Sequence, residues 1–175
     1  MNTVGWSRGV PTAAALGLAV GLSVSRRQAY TDPLTGLPNR SRLIGWSRSR
    51  KTRSMCLALL DLDRFSEVNN QYGHLVGDEL LATVAVRLRE TAQAVNGLAF
   101  RLGGDEFVVT APGDHVDHFA DSLVDVLAEP YRLEDHTLSI GASIGLVVTQ
   151  PGWLLTSALR DADAAMYRAK NTNTV

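Results

Sequence analysis

Apolar and polar positions along the chain fall into blocks that read as separate elements. Met55 to Leu60 is an unbroken apolar run of strand length leading into Asp61-Leu62-Asp63, which predicts a strand covered on both faces. Phe100 to Leu102 and Phe107 to Val109 flank Gly103-Gly104-Asp105-Glu106, and this predicts a β-hairpin whose paired glycines give the turn its backbone freedom. Helical spacing appears at Leu80, Leu81, Val84, Leu88 and Ala92, a core-facing helix opened by Gly77-Asp78-Glu79 and preceded by a short helix from Arg64 to Gln71 that ends near Gly73. An earlier helix, capped by Asn39 or Ser41, runs through Leu43, Ile44 and Trp46 to Arg48, Arg50, Lys51 and Arg53, a solvated basic helix end. Val116 to Leu127 is helical up to Pro130, Thr137 to Val148 is a strand interrupted by Gly141 and Gly145, and Leu154 to Lys170 is a last helix with Leu155, Leu159, Ala162, Ala165 and Met166 on one face. The order helix, strand, two helices, hairpin, helix, strand, helix predicts an α/β sandwich, with a mainly antiparallel central sheet flanked by helices.

Composition adds a boundary and an appendage. The 175 residues, 45% hydrophobic and 20% charged, suit one compact domain plus a short extension. Turn formers concentrate in Thr31-Asp32-Pro33-Leu34-Thr35-Gly36-Leu37-Pro38-Asn39-Arg40, which separates residues 1–29 from a domain over 30–175. Gly9 to Ser25 carries no charge and is about 17 residues long, the lower limit for a membrane-crossing helix. Three readings stay open for it: a single membrane anchor, a soluble or dimerising helix, and a cleaved secretory signal. Gly17-x-x-x-Gly21 carries little weight in so Gly-rich a stretch. On the anchor reading, Arg26-Arg27 would keep the domain on the cytoplasmic side, at the inner face of the membrane. A net charge of −1 gives no basic field for a nucleic-acid backbone, so bulk nucleic-acid binding is not expected. Cys56, the one cysteine, lies inside an apolar run and reads as a small core residue in a reducing compartment.

The candidate chemistry lies in the acids. Asp105 and Glu106 are adjacent like charges at the mouth of an apolar hairpin, an arrangement that favours a cation or a donor-rich ligand between them. By itself such a turn is better explained as a solvated acidic loop. Asp63 suits the N-cap of the next helix, whereas Asp61 still belongs to the strand. A calcium loop is excluded, because its spacing would need an oxygen ligand at Phe65 and a glutamate at Tyr72. His115 and His118 have no third ligand nearby and read as surface residues.

Taken together, Asp32-x-Leu34-Thr35-Gly36-Leu37-Pro38-Asn39-Arg40, Asp61-Leu62-Asp63-x-Phe65, Asn69, Tyr72-Gly73-His74, Gly77-Asp78 and Arg101-Leu102-Gly103-Gly104-Asp105-Glu106-Phe107 resemble the GGDEF family of diguanylate cyclases. The resemblance continues through Ser143-Ile144-Gly145 and Ala162-Asp163-Ala164-Ala165-Met166-Tyr167-Arg168-Ala169-Lys170, and so covers about residues 30 to 170. It implies a sheet like that of nucleotidyl cyclases and polymerase palms, and condensation of two GTP molecules to cyclic di-GMP with release of pyrophosphate. Carboxylate-held metal ions suit that chemistry, which must neutralise a triphosphate and orient a hydroxyl. The resemblance implies that Asp61, the backbone carbonyl of Leu62 and Asp105 hold two magnesium or manganese ions, and that Glu106 helps deprotonate or position the 3′-hydroxyl. It further implies that Asn69 and Asp78 read guanine and that Gly103 and Gly104 let the nucleotide lie against the backbone. Asp78 also suits a helix cap. Arg64, Phe65 and Lys170 complete the implied substrate contacts.

Each domain of this kind holds one GTP, so catalysis is expected only in a homodimer, and residues 1–29 would bring the partners together. Input would come from another protein or from expression level. Three departures from the family pattern bear on activity. Ser66 stands where a phosphate-binding lysine is usual, Asn70 stands where aspartate is usual, and Thr174 replaces a basic residue after Lys170. Each lost charge-assisted contact is worth about 1.5 to 3 kcal/mol, so weak GTP binding, or a catalytically degenerate module, is the alternative expectation. Ala94 and Gly97 occupy the positions of the family's Arg-x-x-Asp inhibitory product site, so product inhibition of that type is not expected.

Overall fold

The computed structural model describes residues 29–172; the expectations for Gly9 to Ser25 and for Thr174 lie outside them. Residues 31–39 form a wide turn, closed by Asp32 N donating to Leu37 O (2.8 Å) and by Asn39 N donating back to Tyr30 O (3.0 Å). Helix α1 (Arg40–Arg50) is capped by Asn39, whose side chain accepts from Arg42 N, rather than by Ser41. Strand β1 (Met55–Leu62) follows, then α2 (Phe65–Tyr72), α3 (His74–Ala94), the hairpin strands β2 (Leu98–Gly103) and β3 (Glu106–Pro112), and α4 (Val116–Ala128). A small hairpin of β4 (Tyr131–Arg132) and β5 (Thr137–Leu138), strand β6 (Ala142–Val148) and α5 (Leu155–Thr172) complete the fold. The main sheet has the order β2-β3-β1-β6 with antiparallel pairing throughout. This is the predicted sandwich.

Alternation along β1 sorts the core into two layers. Cys56, Ala58, Leu60 and Leu62 face one way, joining Leu80, Leu81, Val84 and Leu88 of α3 with Phe119 and Leu123 of α4. Met55, Leu57 and Leu59 face the other way, joining Leu43 of α1 with Ala158, Ala162 and Met166 of α5. Cys56 is fully buried, and burial pushes its thiol up to about 12, as expected of a packed side chain.

Four local expectations need correction. Asp63 does not cap α2: Arg64 takes that position with a left-handed backbone (φ 57°) and makes no side-chain cap bond. Asp63 turns instead toward β6. Helix α3 starts at His74 rather than Gly77, because Gly73 (φ 88°) reverses the chain between α2 and α3 without a linker, which puts Asp78 inside the helix and rules out a capping role. Gly145 does not interrupt β6. It sits where a side chain would run into the Ala162 carbonyl and Met166, so the glycine lets α5 lie close on the sheet. The break falls before Ala142, and the β4–β5 hairpin was not anticipated, since a two-residue strand has too little period to register. Among the described residues no helix is long and apolar enough to cross a membrane.

Candidate active site

The position of Asp61 follows from the alternation of β1. It continues the stripe Met55, Leu57, Leu59 and therefore points to the α1/α5 side of the sheet. Antiparallel pairing sets Glu106 of β3 opposite it on one side and Ser143 of β6 on the other. Directly opposed residues share a face, so Asp61 and Glu106 emerge together. Leu62 buries its side chain (2% exposed), which leaves only its backbone available to a ligand.

Helix α5 delivers a cation to the same place. Ala158, Ala162, Met166 and Lys170 recur every four residues, and the first three are buried against the sheet. The stripe ends at Lys170, whose Nζ donates to Asp61 Oδ1 at 2.8 Å. That hydrogen bond raises the Lys170 ammonium above its ordinary value; partial burial opposes this, and the charges of Asp61, Asp63 and Asp105 add to it. One ammonium thus feels three carboxylates. Asp63 accepts from Ser143 Oγ at 2.6 Å and its backbone N–H donates to Gly141 O, so it fastens the end of β1 to the start of β6. Glu106 is exposed and lies 3.8 Å from Arg40 at the start of α1.

The signature turn is held from outside. Gly103 (φ 145°) and Gly104 (φ 54°) adopt backbone conformations that favour glycine, with open space where a side chain would stand. Arg101 grips this turn: Nε and Nη2 donate to Gly104 O at 3.0 and 2.7 Å, while Nη1 donates to Asp32 Oδ1 at 2.9 Å. Burial pushes the Asp32 carboxyl up, but donors from Thr35 and Arg101 outweigh it and hold the group below its ordinary value. Arg101 N also donates to Pro38 O (3.0 Å). The wide turn that precedes α1 is therefore bonded directly to the residues that carry Asp105 and Glu106. Arg101 and Asp32 belonged to the recognised motifs, yet the pairing of residues so distant in sequence left no local signal.

Asn69 and Asp78 come from the α2–α3 corner. Gly77 is buried, and a side chain there would collide with Asn69 Oδ1 and come within 3.3 Å of Phe65, so the glycine seats Asn69 against α3. Asp78, the next residue, is exposed. Arg64 is exposed and lines a cleft of about 460 Å³ together with Asp63, Glu67, Gln71, Tyr72 and residues 137–141, on the flank of α2 away from Asn69. The structure thus gathers Asp61, Asp105, Glu106 and Lys170 at one end of the sheet, with Asn69, Phe65 and Asp78 in a second group beyond the β1–α2 junction.

Among the described residues no three His, Cys, Asp or Glu side chains form a metal-binding group by themselves. A hard divalent cation nevertheless suits the donors present: carboxylate oxygens at adjacent strand ends, with a protein cation already drawn to them. His118 is exposed, as expected of a surface residue; the side chain of His115 lies outside the description.

An antiparallel sheet with acids at the ends of its inner strands, and helices on both faces, defines the nucleotidyl cyclase and polymerase-palm class of fold. The chain belongs to the GGDEF domain family of diguanylate cyclases, whose family profile matches residues 29–174. It is 35% identical over 159 residues to the diguanylate cyclase DgcP of Pseudomonas aeruginosa, covering 85% of this chain and 24% of that protein. It is 41% identical over 167 residues to an uncharacterised 19.3 kDa protein of Streptomyces ambofaciens, covering 89% of this chain and 87% of the relative. Among solved structures, the coiled coil and GGDEF domain of DgcB from Caulobacter crescentus, in complex with c-di-GMP, aligns with a TM-score of 0.80 at 29% identity, covering 92% of this chain and 91% of that one. The chain spans only 20% to 35% of several curated relatives that it matches.

Proposed function

We propose that the chain is a diguanylate cyclase that condenses two GTP molecules into cyclic di-GMP, each protomer of a homodimer presenting one GTP to the other. The observation that carries this reading is the pairing of Asp61 with Glu106 across β1 and β3, beside Asp105 and next to Lys170. Asp61, the Leu62 carbonyl and Asp105 would hold magnesium or manganese. When bound, such ions neutralise the triphosphate and polarise the phosphorus that is attacked. The other roles belong to the chain itself. Glu106, exposed at the strand mouth, accepts or orients the 3′-hydroxyl proton. Lys170 supplies a phosphate contact from α5. The Asn69 amide and Asp78 carboxylate read the guanine edge, a carboxylate accepting from N1–H and the amino group together, which adenine does not offer. Phe65, which lies beside Asn69 against Gly77, is assigned a contact with the base, Arg64 is assigned a substrate contact from the other flank of α2, and Gly103-Gly104 lets phosphates approach the backbone.

Two-fold pairing supplies the geometry the reaction needs, since each 3′-hydroxyl must meet the other nucleotide's α-phosphate. Residues 1–29 are assigned the task of bringing protomers together, at a membrane or through paired helices, with the domain on the cytoplasmic side. Incubation of the full chain with GTP and Mn2+ tests the reading. Cyclic di-GMP that disappears in Asp61→Asn supports it. GTP binding without turnover points instead to a nucleotide-binding module, the outcome that Ser66 on α2 in place of a lysine would favour.

A further inference from the structure

We infer that Lys170 is a resident counter-ion that competes with the divalent cation for Asp61, so that metal binds tightly only when a triphosphate draws the ammonium away. This rests on the reading of Asp61 as a metal ligand.

The argument starts with how firmly Lys170 is placed. Gly145 lets α5 approach β6 until Ala162 and Met166 lie against the strand, which fixes the helix two turns and one turn ahead of Lys170. Only the lysine's own torsions remain adjustable. The side chains of Lys170 and Asp61 are 39% and 26% exposed, so the pair is partly withdrawn from water and less screened than a rim contact. Of the other acids nearby, Asp63 accepts from the Ser143 hydroxyl and Glu106 lies 3.8 Å from Arg40. Asp61 is where Lys170 settles, with the charges of Asp63 and Asp105 adding to its hold.

An ammonium and a divalent ion cannot share the same face of one carboxylate without repulsion. Metal binding to the protein alone must therefore displace Lys170 into solvent. A bound triphosphate changes the balance, because its oxygens offer the ammonium a more highly charged partner within the same site. Metal and nucleotide then bind with positive coupling, and the coupling runs equally in both directions. The lysine delays loading of metal until substrate is present.

The test is Mn2+ titration of the full-length chain followed by electron paramagnetic resonance, with and without a non-reactive α,β-methylene analogue of GTP. Lys170→Met is expected to tighten Mn2+ binding about fivefold without nucleotide and to reduce the enhancement that the analogue produces, the low end of typical coupling between sites. Lys170→Arg, which keeps the charge, is expected to behave like the unmodified chain. Thermal unfolding of both variants checks that α5 is intact. If Lys170→Met leaves nucleotide-free Mn2+ binding unchanged or weaker while Asp61→Asn abolishes it, the competition is refuted and the metal site stands. If Asp61→Asn leaves Mn2+ binding unchanged, the metal assignment fails and the inference with it.

Discussion

At the scale of single residues, the account depends on which charges meet. Arg101 and Asp32 pair at 2.9 Å with side chains only 10% and 20% exposed, and the same guanidinium holds the Gly104 carbonyl. Arg101→Ala is therefore expected to cost about 2 kcal/mol of stability, a charge-assisted bond lost with Asp32 left half-buried, and thermal unfolding measures it. Cyclase activity should fall further than stability alone explains, because the turn bearing Asp105 and Glu106 loses its clamp. The pH dependence has a definite sign. Asp32 is held below its ordinary value, so its contribution is present above about pH 3.9 and is lost as the pH falls through the lowered native value. In Asp32→Asn the loss of stability between about pH 5 and that acid range should be shallower than in the unmodified chain, as acid titration followed by circular dichroism would read.

At the scale of elements, two glycines position the two halves of the site. Gly77→Ala replaces glycine inside a helix, which by propensity alone is stabilising by about 0.5 to 1 kcal/mol, yet the new methyl group displaces the Asn69 side chain. The expected result is a nearly unchanged melting temperature with GTP affinity lowered about tenfold, measured by calorimetry, which is one lost hydrogen bond to substrate. Gly145→Ala is different, because the obstacle is the backbone carbonyl of Ala162 rather than a flexible side chain. Helix α5 must lift, and overpacking of this kind costs about 1 to 3 kcal/mol and carries Lys170 away from Asp61. The sequence showed the strongly periodic elements, because β1, the β2–β3 hairpin, α3 and α5 each bury a full stripe. Their ends were harder to read. Asp63 has the chemistry of a helix cap, and only the proximity of Ser143, 80 residues on, turns it toward β6. Gly145 looked like a strand breaker because a close helix cannot be seen from neighbouring residues. The acids themselves were legible from their unusual place at the ends of apolar strands, whereas their cation, Lys170, reached the candidate set through the family resemblance.

At the scale of the whole molecule, the proposed reaction calls for two copies of the domain. Specific activity is expected to rise with protein concentration and then level off, and to become independent of concentration when a dimerising coil is fused to the chain; a flat profile in the unfused chain at high dilution would mean that one protomer suffices. The central claim is narrower and can be tested directly. Cyclic di-GMP formed from GTP and Mn2+ by the full-length chain, quantified by mass spectrometry alongside Asp105→Ala, reads it in one assay. The account predicts product from the unmodified chain and at least about a hundredfold less from the variant, the scale seen when a preorganised charge-stabilising group is removed. Equal product from both, or none from the unmodified chain although it binds GTP as a dimer, would contradict it.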